Sequence, residues 1–107
     1  MARTLSKPDA AVTPWAHNLE ALGEIVRNQR LEHGMRIDDA AALLGVSSNV
    51  LSRLENGRPV GSDRLFRVLI GLGLDMLLVE RGDTAAAMRA VDKHVNRDAS
   101  PHADGES

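Results

Sequence analysis

The sequence predicts an all-α domain of four to five helices followed by one C-terminal strand, and three observations predict it. Apolar residues recur by threes and fours through four segments between residues 18 and 73, the period of one helix face. Glycines at positions 34, 45, 57 and 73 separate those segments as helix stops. Between Gly73 and Gly82 the period drops to two, which belongs to a strand. Of the 107 residues 43% are hydrophobic but only 2% aromatic, namely Trp15 and Phe66, so any core has to be built from Leu, Val, Ile and Ala.

Composition narrows the class further. A chain of this length suits one small domain with tails. The absence of cysteine excludes a disulfide scaffold and a thiolate metal site. No apolar run approaches the roughly 18 residues of a membrane span. The opening "MARTLSKPDAAVTPW" lacks a continuous apolar stretch of the secretory kind. The expectation is a soluble, cytoplasmic protein with no membrane contact. The net charge is −2, so a role on nucleic acid would have to come from local placement of charge.

Residues 1–17, with two prolines and no helical period, read as a flexible N-terminal arm carrying Arg3 and Lys7. Residues 18–33 read as the first helix. Asn18 is a good cap, Glu20 and Glu24 suit the positive end of the helix dipole, and Gly34 is the stop. Leu19, Leu22 and Val26 share a face, which Arg30 continues, an odd place for a charge. Residues 37–44 give a short second helix with Asp38 and Asp39 at its start and Ala40, Ala41 and Leu44 inward. Gly45 stops it. Ser47 caps a third helix over 48–56, ended by Gly57 and Pro59. Ser62 or Asp63 caps a fourth over 63–72, with Leu65, Phe66, Leu69 and Leu72 inward. In the strand, residues 74–80, Leu74, Met76 and Leu78 alternate with Asp75, Leu77 and Val79. A lone strand cannot satisfy its own backbone groups, and nothing else in the chain reads as one. The simplest partner is the same strand of a second copy. Residues 83–97 suit a polar helix, and 98–107 read as disordered.

The third helix shows two faces. Leu51 and Leu54 point to the core. Asn49, Ser52, Arg53 and Asn56, at i, i+3, i+4 and i+7, share the opposite side. By periodicity alone that side is either a solvated surface or a reading face for DNA bases. Asn offers a donor and an acceptor side by side, and Arg a planar fork of donors; these match the major-groove edges of adenine and guanine. A short helix, a glycine turn suited to positive φ and a second short helix form a helix-turn-helix, whose second helix enters the major groove. Val46 fits the joint between the two.

Residues 34–57, "GMRIDDAAALLGVSSNVLSRLENG", resemble the Xre or lambda-repressor-like helix-turn-helix family, most closely in "LLGVS" and "LSRLENG". The resemblance spans about residues 19–73. It implies that Ser47 caps the recognition helix and that Ser48, Asn49, Ser52 and Arg53 face the bases. It also implies that Asn56, with Arg58 and the backbone amides around Gly57, meets phosphate. Arg30 and Glu55 would form an ion pair tying the first helix to the third. Two positions depart from the family pattern: Arg36 and Ile37 stand where a cap and a phosphate-contacting glutamine are usual. Arg36 is then a phosphate contact in its own right, and Ile37 packs. Residues 19–60 hold five Arg and Lys against six Asp and Glu, so one copy should bind modestly and a dimer should matter.

The segment "GSDRLFRVLIGLGLDMLLVERG" resembles the end of HipB-type antitoxins, in which a short strand pairs across a two-fold axis. That implies a homodimer closed by Leu74, Met76 and Leu78 against the fourth helix, its two recognition helices about 34 Å apart on an inverted repeat of double-stranded DNA. The implied function is a sequence-specific transcriptional regulator, most often a repressor; the alternative is an antitoxin that also binds a toxin protein. His17, His33, His94 and His102 are scattered over helix ends and tails. No nucleophile–base spacing, phosphate-cradling loop or metal-ligand spacing appears, so the sequence predicts no enzyme, cofactor or metal.

Overall fold

A computed structural model describes residues 5–99, with side chains given through residue 92. The chain divides into two units, Met1–Met76 and Leu77–Ser107. The first holds four helices: α1 (Leu19–Glu32), α2 (Ile37–Leu44), α3 (Ser48–Glu55) and α4 (Ser62–Gly71). The second holds a single 3-10 turn, Arg81–Asp83, and α5 (Thr84–Ala99).

Each helix begins and ends for a local reason. The Ala21 N–H donates to Asn18 Oδ1 at 2.8 Å and opens α1 as expected. Arg36 stands at the cap position of α2 without a side-chain cap bond. Gly45 closes α2 at φ +75°, a left-handed conformation that costs a residue with a Cβ more than glycine. The Val50 N–H donates to Ser47 Oγ at 3.0 Å and opens α3. At α4 the expectation shifts by a residue: the cap is Gly61, with no side-chain bond, and Ser62 and Asp63 already lie inside the helix. The main chain serves instead, as the Leu65 N–H donates to the Gly61 carbonyl at 2.9 Å.

The core is aliphatic. Val26, Ala40, Ala41, Leu44, Leu51, Leu54, Val68, Leu69 and Leu72 form one buried cluster, with Leu22, Met35, Ile37, Val46, Val60, Leu65 and Leu74 packed around it. Two expected core residues are out of place. Phe66 is 46% exposed, because the inward stripe of α4 runs through Leu65, Val68, Leu69 and Leu72; Val68, fully buried, takes the expected role of Phe66. Leu19, the first residue of α1, is 42% exposed, and the inward stripe of the helix starts at Leu22. The helices α1 and α3 meet closely. A Cβ on Gly23 would stand 2.4 Å from the Leu54 carbonyl oxygen, so only glycine fits there.

Residues 5–17 contain no helix or strand. A turn at residues 9–12 is closed by the Val12 N–H on the Asp9 carbonyl and fastened to α1, where the Asp9 N–H donates to Asn28 Oδ1. Trp15 is half exposed, its ring 4.6 Å from that of His17. Arg3, expected in the arm, lies outside the described residues.

The strand expected over 74–80 is not formed, because the described residues offer the segment no second strand to pair with. Leu74 does pack on the core, its N–H donating to the Leu69 carbonyl at 2.8 Å. Met76 and Leu78 do not share that burial: they are 40% and 91% exposed. The polar helix expected over 83–97 is present as α5 and runs on to Ala99; the rest of the expected tail lies outside the described residues.

Candidate nucleic-acid interface

The scaffold of the interface is an ion pair beneath it. Arg30 Nε and Nη2 donate to Glu55 Oε2 and Oε1 at 2.7 and 2.9 Å, a two-pronged contact from α1 to the last residue of α3. The third prong, Nη1, donates to the Met35 carbonyl at 2.9 Å. Both side chains are more than nine-tenths buried, so the charges are spent on each other and not on a ligand.

On this scaffold α3 turns one side inward and one side out. Leu51 and Leu54 are fully buried, whereas Asn49, Arg53 and Asn56 are exposed and Ser52 is half-buried beside them. The joint with α2 is held from α4, where Arg67 Nη1 donates to the Gly45 carbonyl at 3.1 Å. Val46 is half-buried in that joint, and Ile37 packs on the core as expected.

The outward side chains are not loose. Arg53 Nη2 donates to the Pro59 carbonyl at 2.9 Å, which aims the guanidinium along the loop after α3 and leaves most of its donor fork unspent. Asn56 folds back so that Nδ2 donates to the Ser52 carbonyl at 2.8 Å, completing the end of its own helix. Ser48 Oγ donates to Asp38 Oδ1 at 2.8 Å, joining the first turn of α3 to that of α2. Ser47 is occupied as the cap.

One expected contact has to be reassigned. The Gly57 N–H donates to the Leu54 carbonyl at 3.1 Å and the Arg58 N–H to the Arg53 carbonyl at 2.9 Å. Both amides close α3, as at other glycine-ended helices. They are not free to grip phosphate, and any such grip at this end falls to the side chains of Asn56 and Arg58. Arg58 is exposed, as is Arg36 at the other end of the motif.

Sequence reasoning missed Asp38, Pro59 and Arg67 as parts of this surface. Each acts on a residue six or more positions away, through a bond that depends on how the helices cross. Among the described residues no group of three or more His, Asp and Glu is placed to hold a metal ion, and no helix is long and apolar enough to cross a membrane.

The antitoxin-like ending finds no support in the fold, which forms no strand there, or in comparisons with known proteins. No curated protein matches the chain. A family model described as helix-turn-helix matches residues 26–79, half of the chain and the whole of the two-helix motif. That span takes in the Arg30–Glu55 pair, the Gly45 turn and the outward side of α3, and so the chain belongs to the Xre and lambda-repressor-like helix-turn-helix family of DNA-binding transcription regulators.

Proposed function

We propose that this regulator reads a specific DNA sequence with α3 in the major groove, works as a two-fold dimer on an inverted repeat, and represses by covering a promoter. The observation that carries the reading is the division of α3: Leu51 and Leu54 fully buried, Asn49 and Arg53 exposed on the other side. Arg53 supplies donors for guanine O6 and N7, and Asn49 the paired donor and acceptor that suit adenine. Arg36 and Arg58 supply cations for phosphate, one at each end of the motif.

The dimer is supported by the run Met76 to Val79. Leu77 and Leu78 are 78% and 91% exposed, and Val79 is 48% exposed. Consecutive exposed aliphatic side chains are costly in water and suit association with the same segment of a second copy.

The test is selection from a random duplex pool at moderate salt. The expected result is an enriched inverted repeat with half-sites about one turn, 34 Å, apart. Arg53→Ala should flatten one or two positions of each half-site, at a cost of about 1–3 kcal/mol for the best sequence. Arg58→Ala should weaken all sequences alike and reduce the salt slope by about one. A pool that shows no enriched sequence overturns the reading.

A further inference from the structure

The serine that opens α3 has already committed its one hydrogen-bond donor. A hydroxyl carries one donor and two acceptor lone pairs, and for that reason a free serine serves any base or a phosphate. Ser48 is half-buried and its Oγ–H points at Asp38 Oδ1, 2.8 Å away on the first turn of α2. A hydrogen bond to a carboxylate is stronger than one between neutral partners, so the hydroxyl proton of Ser48 stays directed at Asp38. Toward the groove Ser48 then offers lone pairs alone, backed by a negative charge.

Resting on the reading that α3 enters the major groove, we propose that Asp38 acts through Ser48 to make this position a reader of exocyclic amino groups, adenine N6 or cytosine N4. Those are the groups that present donors on the major-groove edge. Guanine O6 and N7 and thymine O4 present acceptors, which would face the serine lone pairs with no proton between them. A phosphate oxygen is likewise an acceptor, so Ser48 is a base reader and not a backbone contact. Asp38 is a positioning residue: it touches no base and sets which half of the serine's bonding capacity is on offer. It also distinguishes Ser48 from Asn49 beside it, whose amide keeps both a donor and an acceptor for the groove.

The experiment repeats the pool selection with the full chain, Ser48→Ala, Ser48→Thr and Asp38→Ala, each first checked for helical content by circular dichroism. Asp38 is exposed, so its truncation leaves the fold in place. The wild-type motif should contain one position per half-site at which adenine or cytosine is favoured about fivefold over guanine or thymine. Ser48→Ala should flatten that position alone, and Ser48→Thr should keep it. Asp38→Ala should release the hydroxyl proton and bring guanine and thymine to near parity there, with the rest of the motif unchanged. A wild-type pool with no motif overturns the proposed DNA reading itself. A clear motif that is the same in Ser48→Ala and Asp38→Ala, or one that changes with Asp38→Ala at many positions, overturns the inference and leaves the DNA reading standing.

Discussion

Arg30 occupies the apolar side of α1 because Glu55 waits for it across the interface, with both carboxylate oxygens engaged. Removing one partner leaves the other charge buried and uncompensated, a loss of about 3–5 kcal/mol. Arg30→Ala and Glu55→Ala should each lower the unfolding free energy by that amount, read from urea titration, whereas exchanging the two together for methionine and leucine should recover most of it. The pair was legible before the fold was known, since a charge in an apolar register needs a partner and the family resemblance names one. The bond between Ser48 and Asp38 was not legible. The two residues lie ten positions apart on different helices, and their meeting depends on the angle between α2 and α3, which no local pattern encodes. Phe66 misled for a related reason. A large apolar residue one step off the stripe looks inward by size, but the helix register gives the inward place to Val68.

Helices of this size are marginal by themselves. The helix α3 has eight residues, too few to persist in water, so its ends and its packing decide its fate. Its start depends on the bond from the Val50 N–H to Ser47 Oγ. Ser47→Ala should cost about 1 kcal/mol and Ser47→Asp much less, read from thermal melting and from faster amide exchange at Val50. The start of α4 shows the limit of reading caps from sequence. Ser62 and Asp63 are both good capping types, but the chain before them runs extended only as far as Gly61, and residue preference yields to backbone conformation. The alternation over 74–80 did not produce the expected strand, and the side chains from Met76 to Val79 are exposed on both of its sides. A strand needs a second set of backbone groups, and the described residues set none beside this segment.

At the scale of the molecule, the buried cluster runs from Val26 to Leu72, entirely within the first unit. The apolar run from Met76 to Val79 is exposed, and it is the segment proposed above for pairing with a second copy. Replacing Leu77 and Leu78 together by aspartate should therefore convert a dimer to a monomer in sedimentation at micromolar concentration. The same change should leave the melting of the helical domain within about 4 °C in dilute solution, where a surface substitution is worth about 0.5 kcal/mol at most. A dimer that persists in this variant would place the contact elsewhere. The net charge of −2 fits the proposed dimer, in which paired copies would double a modest number of cation contacts without making either copy basic overall. The half-exposed ring of Trp15, alone of its kind and set before α1, has a practical consequence. With only aliphatic side chains at its centre, the core has no fluorescence of its own, and the protein's ultraviolet emission follows the leading segment beside His17. Melting of the interior has to be watched through backbone signals, and a disagreement between the two optical channels would time the release of that segment against the loss of the helices.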